Sequence, residues 1–356
     1  MSTIDFEIEE IKKLCENVVE NSKIITCTAV LVRVDIIQTN SRQLSACLRF
    51  PENYPNSPIL VEIKSRTLSG KFLDALANLA EKKAKEILGK TQVIHVLKFI
   101  EQYLKENPLC VAYDEILNLK KSLGSNANEL LKLKQKTSSV HLVVKGGYYF
   151  YKVKADVPIE YPKQCVVLRD AETNLPAVLL RYLNGQSKEI ARQCVEPPLR
   201  VTKDKSAQPF QPVPSLYKAL QFCIDATRDF YEEQCPICDQ AVLPKDSTDV
   251  ITDDTSDMHC ERVYCGHLFH QGCLKKYLQE PPFPKGGKNC PAKKRHPRSD
   301  NSYSTNLKAT LNNEDLTCGI RLAHDRWVLN VKVAETRWAQ KQARVRELEE
   351  VADFLQ

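Results

Sequence analysis

The first hundred residues carry two hydrophobic periods, one typical of helices and one typical of strands. Apolar residues at helical spacing predict three helices, near residues 8–18, 73–87 and 93–104. Apolar residues at every second position predict three strands between the first two helices, near residues 30–36, 44–50 and 59–63. Gly89 and Asn107-Pro108 mark the ends of the last two helices. The pattern predicts an α+β domain over residues 1–108.

The same order of elements returns more weakly over residues 109–234. A helical pattern at 110–134 precedes alternating segments at 140–144, 148–157 and 165–168, and two further helical patterns lie near 177–193 and 215–233. Gly146-Gly147 predicts a hairpin turn between the first two of these strands. The proline-rich residues 195–214 predict an extended connector before the last helix. We predict a second α+β domain here.

A short motif links the first domain to a known family. Tyr54-Pro55-Asn56-Ser57-Pro58 lies between two predicted strands, and with this order of elements the segment resembles the RWD domain, a relative of the ubiquitin-conjugating fold. The next cysteine, Cys110, lies beyond both following helices, which disfavours thioester chemistry. The second domain keeps Tyr161-Pro162 but has Cys165 at the second proline position. It resembles a diverged RWD-like domain, and the alternative is an unrelated α+β domain.

Composition narrows the class of protein. The chain of 356 residues is 42% hydrophobic and 27% charged, which is typical of a soluble protein with two or three domains. No apolar run approaches the roughly 18 residues that a membrane span needs. The acidic amino-terminal sequence lacks the order of a secretory signal. We therefore expect a cytoplasmic protein without a membrane partner, with a nuclear location left open.

Cysteines divide the chain into two parts. Of fourteen, seven are scattered singly from Cys15 to Cys223, and the other seven crowd between Cys235 and Cys318 among histidines. Intracellular cysteines more often fill cores or bind metal than form disulfides. Cys235-Pro-Ile-Cys238 is followed by the run Cys265, His267, His270 and Cys273, and then by Cys290. Because one tetrahedral zinc takes only four such ligands, the spacing predicts two Zn²⁺ ions.

This constellation resembles the RING finger, over about residues 235–325. The resemblance implies interleaved ligands, with one zinc on Cys235, Cys238, His270 and Cys273 and the other on Cys265, His267, Cys290 and a final ligand. The alternative is another zinc module, such as PHD or LIM. Cys260 is the main rival to Cys265.

The final ligand is displaced from its usual place. RING fingers end in Cys-Pro-x-Cys, but Cys290-Pro291-Ala292 continues into Lys293, and the next cysteine is Cys318. Removing the polar residues 293–317 would restore the usual ending, so we predict an inserted loop and Cys318 as the eighth ligand. Loop closure permits this, because its cost grows only logarithmically with length. His296 is the runner-up ligand and His324 a weaker one.

The resemblance implies a RING-type ubiquitin ligase without covalent chemistry of its own. It would recruit a ubiquitin-charged conjugating enzyme and promote transfer to a substrate or adaptor docked on the RWD-like domains. The implied docking residues are Ile237, Leu274, Leu278, Pro291 and Arg321, the last because Gly319 occupies the usual basic position. Core packing is the alternative for Ile237 and Leu278.

Two other classes of protein stay open. A non-catalytic zinc-stabilised scaffold fits the displaced ligand and Gly319. A nucleic-acid binder could use the basic residues between Lys285 and Arg298, but these lack interleaved aromatics, so a solvated loop or nuclear-import signal is favoured. After the zinc module, residues 326–356 form a separate segment, in which an apolar stripe predicts a helix near 331–355 that dimerises or packs against the RING.

Overall fold

A computed structural model of the chain describes residues 3–124, 129–197, 210–284, 287–293, 317–322 and 331–354. The fold is mixed α+β with small antiparallel sheets. It forms two compact units. The first comprises Met1–Lys145, Phe150–Thr173 and Leu183–Ala226, and the second comprises Gly146–Tyr149, Asn174–Tyr182 and Thr227–Gln356.

The first α/β layer is one four-stranded sheet with three helices. In chain order its elements are α1 (Thr3–Val18), β1 (Ser22–Cys27), β2 (Leu31–Ile37), β3 (Gln43–Arg49), β4 (Leu60–Lys64), α2 (Gly70–Lys85) and α3 (Val93–Glu106). The strands are antiparallel in the order β1-β2-β3-β4. Alternation along β2 turns Val32, Val34 and Ile36 into the core. Each such burial stabilises the fold by about 1.5–3 kcal/mol.

The second α/β layer repeats this order. Its elements are α4 (Tyr113–Leu123), β5 (Leu130–Lys134), β6 (Ser139–Gly146), β7 (Tyr149–Asp156), β8 (Val167–Thr173), α5 (Ala177–Val195) and α6 (Leu216–Glu232). The strands again follow chain order in an antiparallel sheet, β5-β6-β7-β8. Val140, Leu142 and Val144 of β6 face the core.

A buried carboxylate organises the first layer. Glu7 of α1 accepts hydrogen bonds from the Tyr54 hydroxyl and from the backbone N–H groups of Gln92 and Val93, at 2.8 and 2.7 Å. These N–H groups belong to the start of α3, where a helix lacks internal acceptors and favours negative charge. Burial is the main reason that the pKa of Glu7 is raised, although these hydrogen bonds oppose the shift.

The second layer contains the same arrangement. Glu115 of α4 accepts from the Tyr161 hydroxyl at 2.5 Å and from the Tyr217 N–H at 2.8 Å, at the start of α6. The Tyr161 oxygen also accepts from the N–H groups of Ser215 and Leu216. Burial again raises the pKa of the carboxyl. A glutamate on the first helix and the tyrosine of the Tyr-Pro pair thus cap the last helix in both layers.

Two sequence-based boundaries are wrong. The predicted helix at 110–134 ends at Leu123, followed by Gly124 at φ +64°, and residues 130–134 form strand β5 instead. Leu131 and Leu133 alternate with exposed lysines there, and this period of two prevails. Strand β1 was not predicted, because this edge strand is only partly buried and its apolar residues do not alternate.

The second unit has few regular elements. Besides the start of α5 and the end of α6, they include β9 (Cys260–Arg262), β10 (Leu268–His270), α7 (Gln271–Gln279) and α8 (Val331–Phe354). The predicted carboxy-terminal helix is present, and two residues of its apolar stripe are exposed, Val345 at 40% and Leu348 at 64%. Among the described residues, no helix combines the length and apolar character needed to cross a membrane.

Candidate metal centre

A tight hairpin holds the first cysteine pair. Gln234 and Ala241 form an antiparallel bridge, and the Cys235 N–H donates to the Gln240 carbonyl at 2.8 Å. Asp239 closes the turn at φ +54°, donating its N–H to the Cys235 carbonyl. The turn brings the Cys235 and Cys238 sulfurs to the same side, as a Cys-x-x-Cys metal site requires.

A second hairpin and a helix carry the next four ligands. Strands β9 and β10 pair antiparallel, with Cys265 and His267 in the connecting turn and His270 at the end of β10. Gly266 adopts φ +95° in this turn, a conformation that a side chain would strain. Helix α7 starts at Gln271, so Cys273 lies in its first turn close to His270. Cys265 and His267 therefore lie at one site, and His270 and Cys273 lie at another.

A short two-stranded ribbon holds the last cysteine pair. Asn289 bridges to Arg321, and Lys293 bridges to Thr317, both antiparallel. Between these bridges the Cys290 N–H donates to the Ile320 carbonyl at 2.8 Å, and the Cys318 N–H donates to the Ala292 carbonyl at 2.6 Å. The insertion thus begins and ends at adjacent backbone positions.

The ligands collect into two groups of four. One contains Cys235, Cys238, His270 and Cys273, and the other contains Cys265, His267, Cys290 and Cys318. Within each group all ligand atoms lie within 4.8 Å of one another. Sulfurs around a tetrahedral zinc lie about 3.8 Å apart, given zinc–sulfur bonds of about 2.3 Å. The separations that involve the histidines, 3.3 to 3.6 Å, are already compatible with four ligands around one metal ion.

The two histidines present the same ring nitrogen to their groups. His270 Nδ1 lies 3.3 Å from Cys238 Sγ, and His267 Nδ1 lies 3.3 Å from Cys265 Sγ. The other nitrogen of His270, Nε2, lies 3.1 Å from the Ala241 carbonyl oxygen. A protonated Nε2 would donate to this oxygen and leave the lone pair of Nδ1 free to bind a metal. Metal-bound histidines usually donate their other ring N–H to a protein acceptor in this way.

Cysteine pKa values also indicate a need for positive charge. In the second group the pKa of Cys265 is lowered to about 4, chiefly by a hydrogen bond with Cys290. The same contact, together with burial, raises the pKa of Cys290. One sulfur can therefore ionise only while its neighbour keeps a proton. A bound cation would remove this conflict and allow every sulfur to ligate as thiolate.

All eight predicted ligands lie in these groups, in the predicted pairing. Cys318 joins the second group across the insertion. Cys260 is buried outside both groups, where burial raises its pKa to about 12. The rival ligands His296 and His324 lie outside the described residues.

The predicted docking residues differ in exposure. Leu274 is fully buried and Leu278 is 6% exposed, so both fit the core rather than a surface. Ile237 and Pro291 are partly exposed, and Arg321 is exposed. Docking therefore remains a prediction for these three residues.

Sequence reasoning placed Lys288 in a solvated basic run, whereas the structure buries it. Its ammonium donates to the carbonyls of Tyr277 and Glu280 at the end of α7, and it lies 4.4 Å from the Tyr277 ring centre. These carbonyls have no internal helical partner, so a cation there is stabilising. Lys288 thereby ties α7 to the segment that bears Cys290. A lysine in a polar stretch gives no signal of this burial.

Neither a model of a known protein family nor a curated protein sequence matches this chain. The functional assignment therefore depends on the site.

Proposed function

We propose that this protein is a RING-type ubiquitin ligase with two structural zinc ions. The observation that carries the proposal is the interleaving of the ligand pairs along the chain. The first pair, Cys235 and Cys238, groups with the third, and the second pair groups with the fourth. Sequential zinc modules such as LIM do not alternate in this way, whereas cross-braced modules such as the RING finger do.

The ligand chemistry supports zinc. Each group combines three thiolate-forming cysteines with one imidazole, a soft set that zinc binds in closed tetrahedral sites. Four protein ligands leave no open position for a reacting water. The zinc ions would therefore have a structural role, holding residues 235–322 rigid as a platform.

The platform would act by binding rather than by covalent catalysis. Ile237, held between two ligands, and Pro291, beside Cys290, are the partly exposed apolar residues at the positions that the RING resemblance implies for docking. A conjugating enzyme that carries ubiquitin as a thioester would bind there. Binding would restrict the thioester to a reactive conformation and promote ubiquitin transfer. The two α/β layers, as RWD-like domains, would hold the substrate or an adaptor.

An autoubiquitination assay with a panel of conjugating enzymes tests this function. We expect the parent to form ubiquitin chains and Ile237→Ala to lose at least ten-fold in rate, with metal content and thermal unfolding unchanged. Ile251→Ala is the matched control, because Ile251 is also partly exposed but lies in the gap between ligand pairs. Equal rates for parent and Ile237→Ala would place docking elsewhere.

A non-catalytic scaffold is the second candidate. Gly319 stands where RING ligases commonly carry a basic residue that contacts both enzyme and ubiquitin, which favours this candidate. It would bind two zinc ions and yet stimulate no conjugating enzyme. Two zinc ions per chain without ubiquitin transfer would establish it in place of the ligase.

A further inference from the structure

The outer face of the second sheet is strongly basic. Residues paired across strands share a face of the sheet. Along each strand, alternate apolar residues face the core and the charged residues between them face outward. The outward basic residues are Lys132, Lys134, His141, Lys145, Lys152, Lys154 and Arg169, and the outward acids are Asp156 and Glu172. Asp170 lies in the bulge of β8 instead of at an alternating position.

Like charges oppose each other directly on this face. Lys132 pairs with His141, and Lys154 pairs with Arg169. Burial and then the positive charges of Lys134 and Lys154 lower the pKa of His141, whereas Asp156 raises it. Basic side chains from all four strands therefore lie on this face. Asp156 forms ion pairs with Lys154 at 3.0 Å and with Arg169 at 3.7 Å, so part of this charge is already balanced. The excess of positive charge on this face rests on Lys132, Lys134 and Lys145.

The first sheet has the same architecture without this feature. In its register Lys23 opposes Asp35, and no two like charges are opposed. Arg49 and Lys64 both pair with Glu62, at 3.6 and 2.9 Å. Asp156 balances two cations of the second sheet in the same way, so the two sheets differ chiefly in the further lysines of β5 and β6, which are Lys132, Lys134 and Lys145.

Aromatic and apolar side chains lie among these cations. Phe150 is on the same face, and the Lys152 ammonium lies 5.1 Å from its ring centre. Lys132 and Lys134, two residues apart on one strand, are about 6.7 Å apart along it, close to the spacing of successive phosphates in a nucleic-acid strand. Lysines beside an aromatic ring are the elements with which proteins bind single strands, contacting phosphates and stacking bases.

We propose that the outer face of the sheet β5-β6-β7-β8 binds single-stranded nucleic acid. Lys132, Lys134 and Lys145 contact phosphates, and Phe150 offers a surface on which a base stacks. The proposal is independent of the zinc module and of ligase activity. It also concerns a different surface from the basic run between Lys285 and Arg298.

Fluorescence anisotropy with the full-length protein tests it, using labelled single-stranded oligonucleotides of uridine and of deoxythymidine at several salt concentrations. We expect Lys132→Gln/Lys134→Gln to weaken binding about ten-fold and to reduce the salt slope by about 2, because each lost phosphate contact reduces it by about 1. Phe150→Ala should weaken binding about ten-fold as well, by removing a stacking contact. Circular dichroism and thermal unfolding verify that the variants fold.

The matched control is Arg49→Gln/Lys64→Gln, which removes the same charge from the outer face of the first sheet and should leave binding unchanged. A second control, Lys293→Gln/Lys294→Gln/Arg295→Gln, removes the other basic run. Loss of binding in either control but not in the sheet variants would overturn the proposal. Undetectable binding would also overturn it, and so would binding only to anionic lipid vesicles. A further contrary result is competition by polyglutamate as strong as that by the oligonucleotide, together with no effect of Phe150→Ala. Preference between the two oligonucleotides would identify the strand as RNA or DNA.

Discussion

The interior of the first α/β layer consists of apolar side chains from three helices and one sheet face, whereas residues 233–322 centre on two groups of sulfur and imidazole ligands. Among the described residues of this second region, eight large apolar side chains are buried, among them Leu268, Phe269 and Leu274. The α/β layer instead has a continuous core that extends from Ile11 to Leu104. The stability of one region should therefore follow apolar burial and that of the other should follow metal binding.

Removal of the metal should produce the largest difference in stability between the two regions. Structural zinc contributes on the order of 10 kcal/mol per site, and the zinc module has little else to offset its loss. We expect a chelator to abolish hydrogen-exchange protection over residues 235–322 while strands β2 and β3 stay protected. Retained protection in the zinc module of metal-free protein would show that its small apolar set suffices.

The eighth ligand is the next test. Cys318→Ser should reduce the metal content from two ions per chain to one, as measured by elemental analysis, because three ligands hold zinc poorly. His296→Ala is the control and should retain both ions. Deletion of residues 294–316, which spares the bridge between Lys293 and Thr317, should also retain both. An essential His296 with a dispensable Cys318 would mean that the site closes locally.

The α/β layers should respond instead to loss of their buried carboxylates. Glu7→Ala leaves the Val93 N–H and the Tyr54 hydroxyl without an acceptor, which should lower the free energy of unfolding by about 3 kcal/mol or more. Glu115→Ala should behave alike in the second layer. Glu9→Ala, at an exposed position of α1, should change the free energy of unfolding by less than about 0.5 kcal/mol, as measured by urea unfolding. A small effect of Glu7→Ala would mean that water replaces the lost acceptor.

A smaller effect should appear in the pH dependence. The folded-state pKa of Glu7 lies above its ordinary value of 4.5, so the folded state binds more protons. Its contribution to stability is complete below the unfolded pKa and declines as pH rises through the folded pKa, by at most about 1.4 kcal/mol per pH unit. The stability of the parent relative to Glu7→Gln should therefore fall with rising pH over that window. A constant difference would contradict the raised pKa.

The two regions also differ in what their sequences reveal. Alternation along β2 and β3 predicted their inward residues, because burial against helices requires that period. The candidate metal ligands followed from their spacing together with the resemblance to the RING finger, since chemistry and not periodicity selects cysteine and histidine. The predicted helix at 110–134 was wrong because leucine and lysine suit either element. Partners distant in sequence, such as Glu115 with the start of α6, left no local signal.

Antiparallel pairing around Cys290 and Cys318 has a consequence for chain continuity. The two segments are joined by backbone hydrogen bonds and would share one metal ion, so residues 294–316 are not the sole link between them. A chain cut within that stretch would remain one particle, held non-covalently at the cut. The same stretch is a natural place for an inserted tag or cleavage sequence, since its length is decoupled from the geometry of the ligands.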